Sequence, residues 1–142
     1  MHTIHQILSQ KGGDILWVAP DSTVFDAIRT MAEKGIGALL VMRDGNPVAM
    51  FSERDYARKV ILEGRSSRET RVGDIMSDSL ITIDGCATAK AGLALMTRHR
   101  IRHLPVIDEG KLIGLVSIGD LVNAVIDDQQ RLIEQLERYV TG

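Results

Sequence analysis

The chain has one cysteine, Cys86, in 142 residues. A lone thiol cannot close an internal disulfide, so a reducing compartment is expected, most simply the cytoplasm. Aromatic residues are scarce, at 4%. The hydrophobic 44% must therefore build an aliphatic core. Few rings are left for stacking on nucleic-acid bases. No charge sign dominates: 17 Lys and Arg stand against 19 Asp and Glu, a net charge of -2. That balance gives no global attraction to nucleic acid or an anionic membrane. Long hydrophobic runs are missing as well. Stretches such as Ala38 to Met42 fall far short of the about 20 residues that span a bilayer. The opening Met1-His-Thr-Ile-His-Gln6 has no basic region followed by an apolar core, so no signal peptide is expected. The length suits one ordinary domain or two small ones.

What is present is an internal repeat. Val48-Ala-Met-Phe-Ser52-Glu-Arg-Asp55 returns as Ile113-Gly-Leu-Val-Ser117-Ile-Gly-Asp120, and Ser52 and Ser117 lie 65 positions apart. The same offset aligns Thr23 with Thr88, Met31 with Met96, Leu39 with Leu104, Val41 with Val106 and Gly45 with Gly110, without a gap. In each copy an apolar run leads to Ser-x-x-Asp and then to a new apolar-periodic segment, which reads as a strand entering a helix. The Ser hydroxyl can accept from an orphan backbone N–H. The Asp carboxylate can reach back to the cap or face the positive end of the helix dipole. Two capping boxes are the plain reading. Matched positions, each just after a strand, support a second one: two ligand sites, each with a carboxylate at its mouth.

Periodicity places the remaining elements. The first copy opens with a helical turn, Ile4 to Ser9, and a loop containing Gly12-Gly13. A short strand is expected at Ile15 to Val18. A helix then runs through Val24, Ala27, Ile28 and Met31 to Lys34-Gly35. Strands Ala38 to Met42 and Val48 to Phe51 flank the hairpin signal Arg43-Asp44-Gly45-Asn46. A second helix runs from Ser52 to near Gly64, and polar Arg65 to Arg71 is the linker. The second copy has a turn at Val72 to Met76, a strand at Leu80 to Ile83 and a helix at Ala87 to His99. Its hairpin joins Leu104 to Ile107 and Leu112 to Val116 around Glu109-Gly110-Lys111. Gly92 stands where the first copy has Ala27, and small residues at both places predict close packing.

The expected bounds are 1–66 and 67–126, with a helical extension at 127–142. The last helix continues from Leu121 through Tyr139. Val125, Leu132, Leu136, Tyr139 and Val140 keep one stripe, and Asp127 with Arg131 and Glu134 with Arg138 are i,i+4 pairs. A second copy of the chain is the expected partner of that stripe, and the chain's own core is the alternative.

Two tandem β-α-β-β-α units with Ser-x-x-Asp at a helix entrance resemble the CBS (cystathionine β-synthase) domain family. The most specific parts are Arg98-His-Arg-Ile-Arg-His-Leu-Pro-Val-Ile-Asp108 and Gly114-Leu-Val-Ser-Ile-Gly-Asp120, and the resemblance spans essentially the whole chain. It implies an α/β (α+β) fold with a three-stranded sheet and two helices per repeat. The repeats would pack sheet to sheet about a pseudo-two-fold axis, with the extended C-terminal helix in addition. It implies a stand-alone regulatory module and not an enzyme. The ligand would be AMP, ADP, ATP, NAD or S-adenosylmethionine, bound in the cleft between repeats with no metal. Pairs would associate into a homodimer.

The same resemblance implies roles for residues. Asp55 and Asp120 would accept from ribose hydroxyls, for which a carboxylate offers two acceptor oxygens. Ser52 and Ser117 would cap and touch ribose or phosphate. Arg102 and His103 match positions that meet phosphates; a guanidinium fork suits phosphate oxygens, and helix N-termini add N–H donors. Thr82 would bond the adenosine group, and Ile81, Leu104 and Pro105 would wall a base. Repeat one has Gly37 and Ala38 in place of Arg102 and His103, so the two sites are expected to differ. Trp17, the counterpart of Thr82, would stack on a base or fill the pocket or core. Arg54 and Arg58 would reach phosphates or line an exposed helix face. Arg98 and Arg100 read as solvated charge. Pro105 has no N–H, so its strand position should be unpaired or at a sheet edge.

Other chemistry finds less support. His99-x-x-x-His103 crosses a predicted helix end and has no complementary Cys or His pair for zinc. Cys86 lacks a His partner and is expected to be buried. Glu53-Arg54-Asp55 has no second constellation for hydrolysis. CBS pairs also occur inside IMP dehydrogenase, whose barrel needs roughly 250 residues. The alternative to a nucleotide sensor is an interaction scaffold with vestigial sites.

Overall fold

The computed structural model describes residues 1–12, 15–76 and 79–141. Gly13 of the expected Gly12-Gly13 loop and Gly142 of the expected extension lie outside them. The chain forms two compact units, one from residues 15–80 and one from 1–14 with 81–142. Each contains a three-stranded mixed sheet.

In the first unit β1 (Trp17–Val18) runs parallel to the central β2 (Ala38–Arg43), and β3 (Asn46–Ser52) runs antiparallel on the other side. Between β1 and β2 lies α2 (Val24–Lys34), capped by Thr23, whose hydroxyl accepts from the Asp26 N–H. The Asp44-Gly45 turn takes positive φ at both residues, 53° and 79°. That geometry matches the twist of the flanking strands. Leu39, Val41, Ala49 and Phe51 face a core with Val24 and Met31. The second helix is not one α-helix to Gly64. Instead α3 (Glu53–Tyr56) opens into a π-helical turn, Ala57–Ile61, where the Leu62 N–H reaches the Ala57 carbonyl at 3.1 Å. A short helix, α4 (Val72–Ile75), closes this core with Val72 and Ile75.

The second unit repeats the plan. β4 (Ile83–Asp84) is parallel to the central β5 (His103–Asp108), and β6 (Lys111–Ser117) is antiparallel to it. Helix α5 (Ala89–His99) joins β4 to β5, and α6 runs from Ile118 to Thr141. Gly92 is buried, and a Cβ there would stand 2.6 Å from Leu121 Cδ1 of α6. The close approach that Ala27 and Gly92 predicted is thus between helices. Pro105 lies in the central strand and not at an edge. Its counterpart Leu40 donates its N–H to the Leu16 carbonyl at 3.3 Å. Pro105 has no such donor, so pairing begins one residue later, at Ile83 with Val106. The strand expected at Leu80 to Ile83 is accordingly found at Ile83–Asp84.

The compact units cross the sequence repeats. Helix α1 (Ile4–Lys11) precedes the first repeat, yet Ile4 and Ile7 pack into the core that holds Val106, Val116 and Leu121. Its Ile4 N–H donates to the Ala87 carbonyl at 2.9 Å. Conversely, α4 precedes the second repeat's strands and belongs to the first core.

Candidate functional site

Both Ser-x-x-Asp motifs form capping boxes. In the first unit Ser52 Oγ accepts from the Asp55 N–H at 3.2 Å, and Asp55 Oδ2 accepts from the Ser52 N–H at 3.0 Å. In the second, Ser117 Oγ accepts from the Asp120 N–H at 3.2 Å and Asp120 Oδ2 from the Ser117 N–H at 2.8 Å. Both helix entrances are tied to the neighbouring chain in the same way: Glu53 N–H donates to the Gly37 carbonyl, and Ile118 N–H to the Arg102 carbonyl. The box uses Oδ2 of each Asp, so capping and a second role at the carboxylate are compatible.

The surroundings of the two carboxylates differ. Lys59 Nζ stands 3.8 Å from Asp55 Oδ1, one helical turn on. Asp120 instead meets Lys11 of α1, whose Nζ donates to Asp120 Oδ2 at 2.8 Å and to the Leu115 carbonyl at 2.9 Å. His103 is paired across the sheet with Ser117, which sets its ring beside the same helix entrance. Burial pushes the Asp120 carboxyl up, but the Lys11 hydrogen bond and charge and the Ser117 bonds together hold it below its ordinary value. Burial lowers the His103 imidazole below 6.5, aided by the Lys11 and Arg102 charges and opposed by Asp120.

The sign of the His103 effect follows. An unfolded His gains its proton near the ordinary value, and the folded one only at lower pH. Between the two the unfolded state binds more protons, so the contribution of His103 to stability falls as pH drops through that window. His103→Gln removes it. The stability difference between wild type and His103→Gln should be flat above about pH 7.5 and move against wild type as pH falls from about 7 to 5. Denaturant titrations across that range check this; a difference that stays flat throughout would mean the ring is as free to charge as in the unfolded chain. Asp120 acts in a separate range: its depressed value stabilises above the ordinary carboxylate range and is lost only as pH falls through the folded one.

Residues 6–62 and 72–127 match the CBS domain family. The chain belongs to that family. A relative, "CBS domain-containing protein CBSX3, mitochondrial" of Arabidopsis thaliana, is 42% identical over 99% of this chain and 72% of its own length. The structure of a candidate signal-transduction protein with CBS domains from Burkholderia ambifaria is 51% identical, with a TM-score of 0.85 over 90% of this chain and 96% of that one. A hexameric CBS-CP12 protein from bloom-forming cyanobacteria shares the fold, at 24% identity and a TM-score of 0.73 over 86% of this chain and 70% of its own.

Within the second CBS repeat the structure brings together Asp120, Ser117 and His103, with Arg102 exposed next to His103. It does not bring Leu104 to the same face. Leu104 is fully buried in the core beside Val106, whereas His103 and Pro105 alternate to the other side of the strand. Thr82 is exposed just before β4, and Ile81 is half-buried against the core. In the first repeat Arg54 and Arg58 lie on the exposed surface after Ser52. Trp17 is 55% exposed, which removes the core from its expected roles and leaves stacking on a base or filling the pocket.

Cys86 is exposed, not buried. It sits in the turn after β4, its N–H donating to Asp84 Oδ1 at 2.7 Å. The hydrogen bond and charge of Asp84 push its thiol up, away from the reactive thiolate. Among the described residues no group of His, Cys, Asp and Glu could hold a metal, and no helix is long and apolar enough to cross a membrane. Sequence reasoning missed Lys11, because no spacing rule connects residue 11 with residue 120. Missed too were His2, buried with Nδ1 2.6 Å from Asp128 Oδ1, and His5, whose Nε2 lies 3.0 Å from Asp108 Oδ2.

Proposed function

We propose that this CBS pair is a non-catalytic regulatory module that binds an adenine nucleotide (AMP, ADP, ATP or NAD) and that the bound state shifts its conformational equilibrium. The supporting observation is the cluster of Asp120, His103 and Lys11, with Arg102 adjoining, at the entrance of α6. A carboxylate suits a ribose diol, and the cationic and imidazole groups around it suit phosphates. Ser52, Asp55 and Arg54 would form the weaker site, since Gly37 and Ala38 supply no phosphate donors. A ligand can shift the equilibrium only by its differential affinity for the two states. The active assembly in this reading is a homodimer of pairs. The cytoplasmic compartment rests on the single cysteine; the mitochondrial label belongs to the Arabidopsis relative.

Thermal melts with AMP, ATP, NAD and S-adenosylmethionine test the ligand. A true ligand at ~100 times its dissociation constant stabilises by about 2.7 kcal/mol. Asp120→Asn should abolish that gain. The variant also alters the N3 partner of the Ser117 capping box, so the ligand-induced shift is compared within each protein. One observation favours a scaffold with vestigial sites: Lys11 and the cap already occupy Asp120 Oδ2. That alternative is correct if none of the four compounds moves the melt at concentrations on the order of millimolar.

A further inference from the structure

From Val122 onward α6 carries a second period that nucleotide binding does not use. Val122, Ile126, Gln129, Ile133, Leu136 and Val140 follow one another at spacings of 4, 3, 4, 3 and 4. That is the a/d seam of a heptad repeat, with Ile126, Ile133 and Val140 at a and Val122, Gln129 and Leu136 at d. All six side chains are exposed, Ile126 at 57% and Val140 at 82%, and every residue from Gln129 to Thr141 is exposed. We propose that this seam pairs with the same seam of a second copy as a parallel, in-register, two-stranded coiled coil. The inference takes its partner from the homodimer reading above and adds the surface, the direction and the register.

The choice of occupant rests on the seam itself. A 3.5-residue repeat suits another helix with the same repeat, and an identical chain supplies one. β-Branched residues fill every a position and Leu136 one of the three d positions, a choice that within a parallel assembly favours two strands. Gln129 is the one polar seam residue. In a parallel, in-register pair it faces the partner's Gln129, so an amide donor meets an amide acceptor. An antiparallel pair centred on the same seam would set it against the partner's Ile133 and bury an unpaired amide. The charges lie away from the seam: Arg131 Nε reaches Asp127 Oδ2 at 3.2 Å on the outer face. Leu121 and Ala124 are buried, so the helix start is already held and pairing does not carry the nucleation cost of a free peptide.

The test uses the full chain and light scattering after size exclusion. Ile133→Asp with Leu136→Asp should reduce the mass from two chains to one. Both positions are exposed, so the helical circular dichroism of the folded unit and any nucleotide-induced melting shift should be retained. In a Cys86→Ser background, Leu136→Cys should cross-link to its own copy on mild oxidation, and Arg138→Cys on the outer face should not. A wild-type dimer that survives the double Asp change overturns the seam and leaves the homodimer standing. A monomeric wild type overturns both. Equal cross-linking at positions 136 and 138 overturns the parallel register.

Discussion

Leu121→Ala is expected to destabilise the second unit by about 2–5 kcal/mol, and Gly92→Ala made in that background to restore part of the loss. Leu121 of α6 is fully buried in the second core, and its Cδ1 occupies the space over Gly92 of α5. Truncation leaves a cavity that the sheet and α5 cannot both collapse to fill. Alone, Gly92→Ala faces two opposed effects. Alanine gains about 1 kcal/mol of helix propensity over glycine. Its Cβ would stand 2.6 Å from Leu121 Cδ1 and 3.4 Å from Ile83 Cδ1. Overpacking of that kind costs about 1–3 kcal/mol, so the single change should be neutral to destabilising. Once Leu121 is cut back, the clash is gone and the propensity gain remains. The four proteins of the cycle should therefore show coupling on the order of 1–3 kcal/mol in denaturant unfolding. Additivity within about 0.5 kcal/mol would mean that the two side chains do not share this space.

Close packing at Gly92, on a helix or on the sheet, was readable before any coordinates, because Ala27 and Gly92 sit at the same place in the two copies; Leu121 as its partner was not. The hairpins were readable for a similar reason: Asp44-Gly45 and Glu109-Gly110 carry the residues that a two-residue turn needs, and both adopt positive φ. The capping boxes followed from Ser-x-x-Asp. What sequence could not supply was tertiary partnership. Lys11 meets Asp120 only because α1 docks on the strands of the later repeat, and no local pattern encodes that contact. The late start of β4 needed the comparison of Leu40 with Pro105 inside a known register. Leu104 is a different case. Alternation along a strand puts its side chain on the face opposite His103 and Pro105, so Leu104 and Pro105 do not share a side-chain wall. The absence of a His partner says nothing of where Cys86 lies; the turn built by Asp84 decides its exposure.

Deleting residues 1–11 is expected to unfold the second unit while the first keeps its core. Ile4 and Ile7 are buried among the second repeat's residues, and each is worth about 2–5 kcal/mol by comparison with truncation to Ala. Their joint loss approaches the roughly 5–15 kcal/mol that holds a whole domain together. The sheet is shaped for this helix. A Cβ at Gly114 would lie 2.5 Å from Leu8 Cδ2, whereas the matching position in the first repeat is the buried Ala49. The deletion also removes the bonds from His2 to Asp128, His5 to Asp108 and Lys11 to Asp120. Hydrogen exchange should show protection collapsing in β5 and β6 and persisting in β2 and β3, since none of the first core's residues is removed. Equal loss in all four strands would refute the assignment of α1 to one core. If β5 and β6 stayed protected, the helix would be an ornament on a sheet that folds without it. Lys11 also bears on the ligand site, because its partly exposed ammonium stands on Asp120 Oδ2 and must swing away or share that oxygen when a hydroxyl approaches. A carboxylate held by its own chain's ammonium is open to a ribose diol to the extent that this side chain yields.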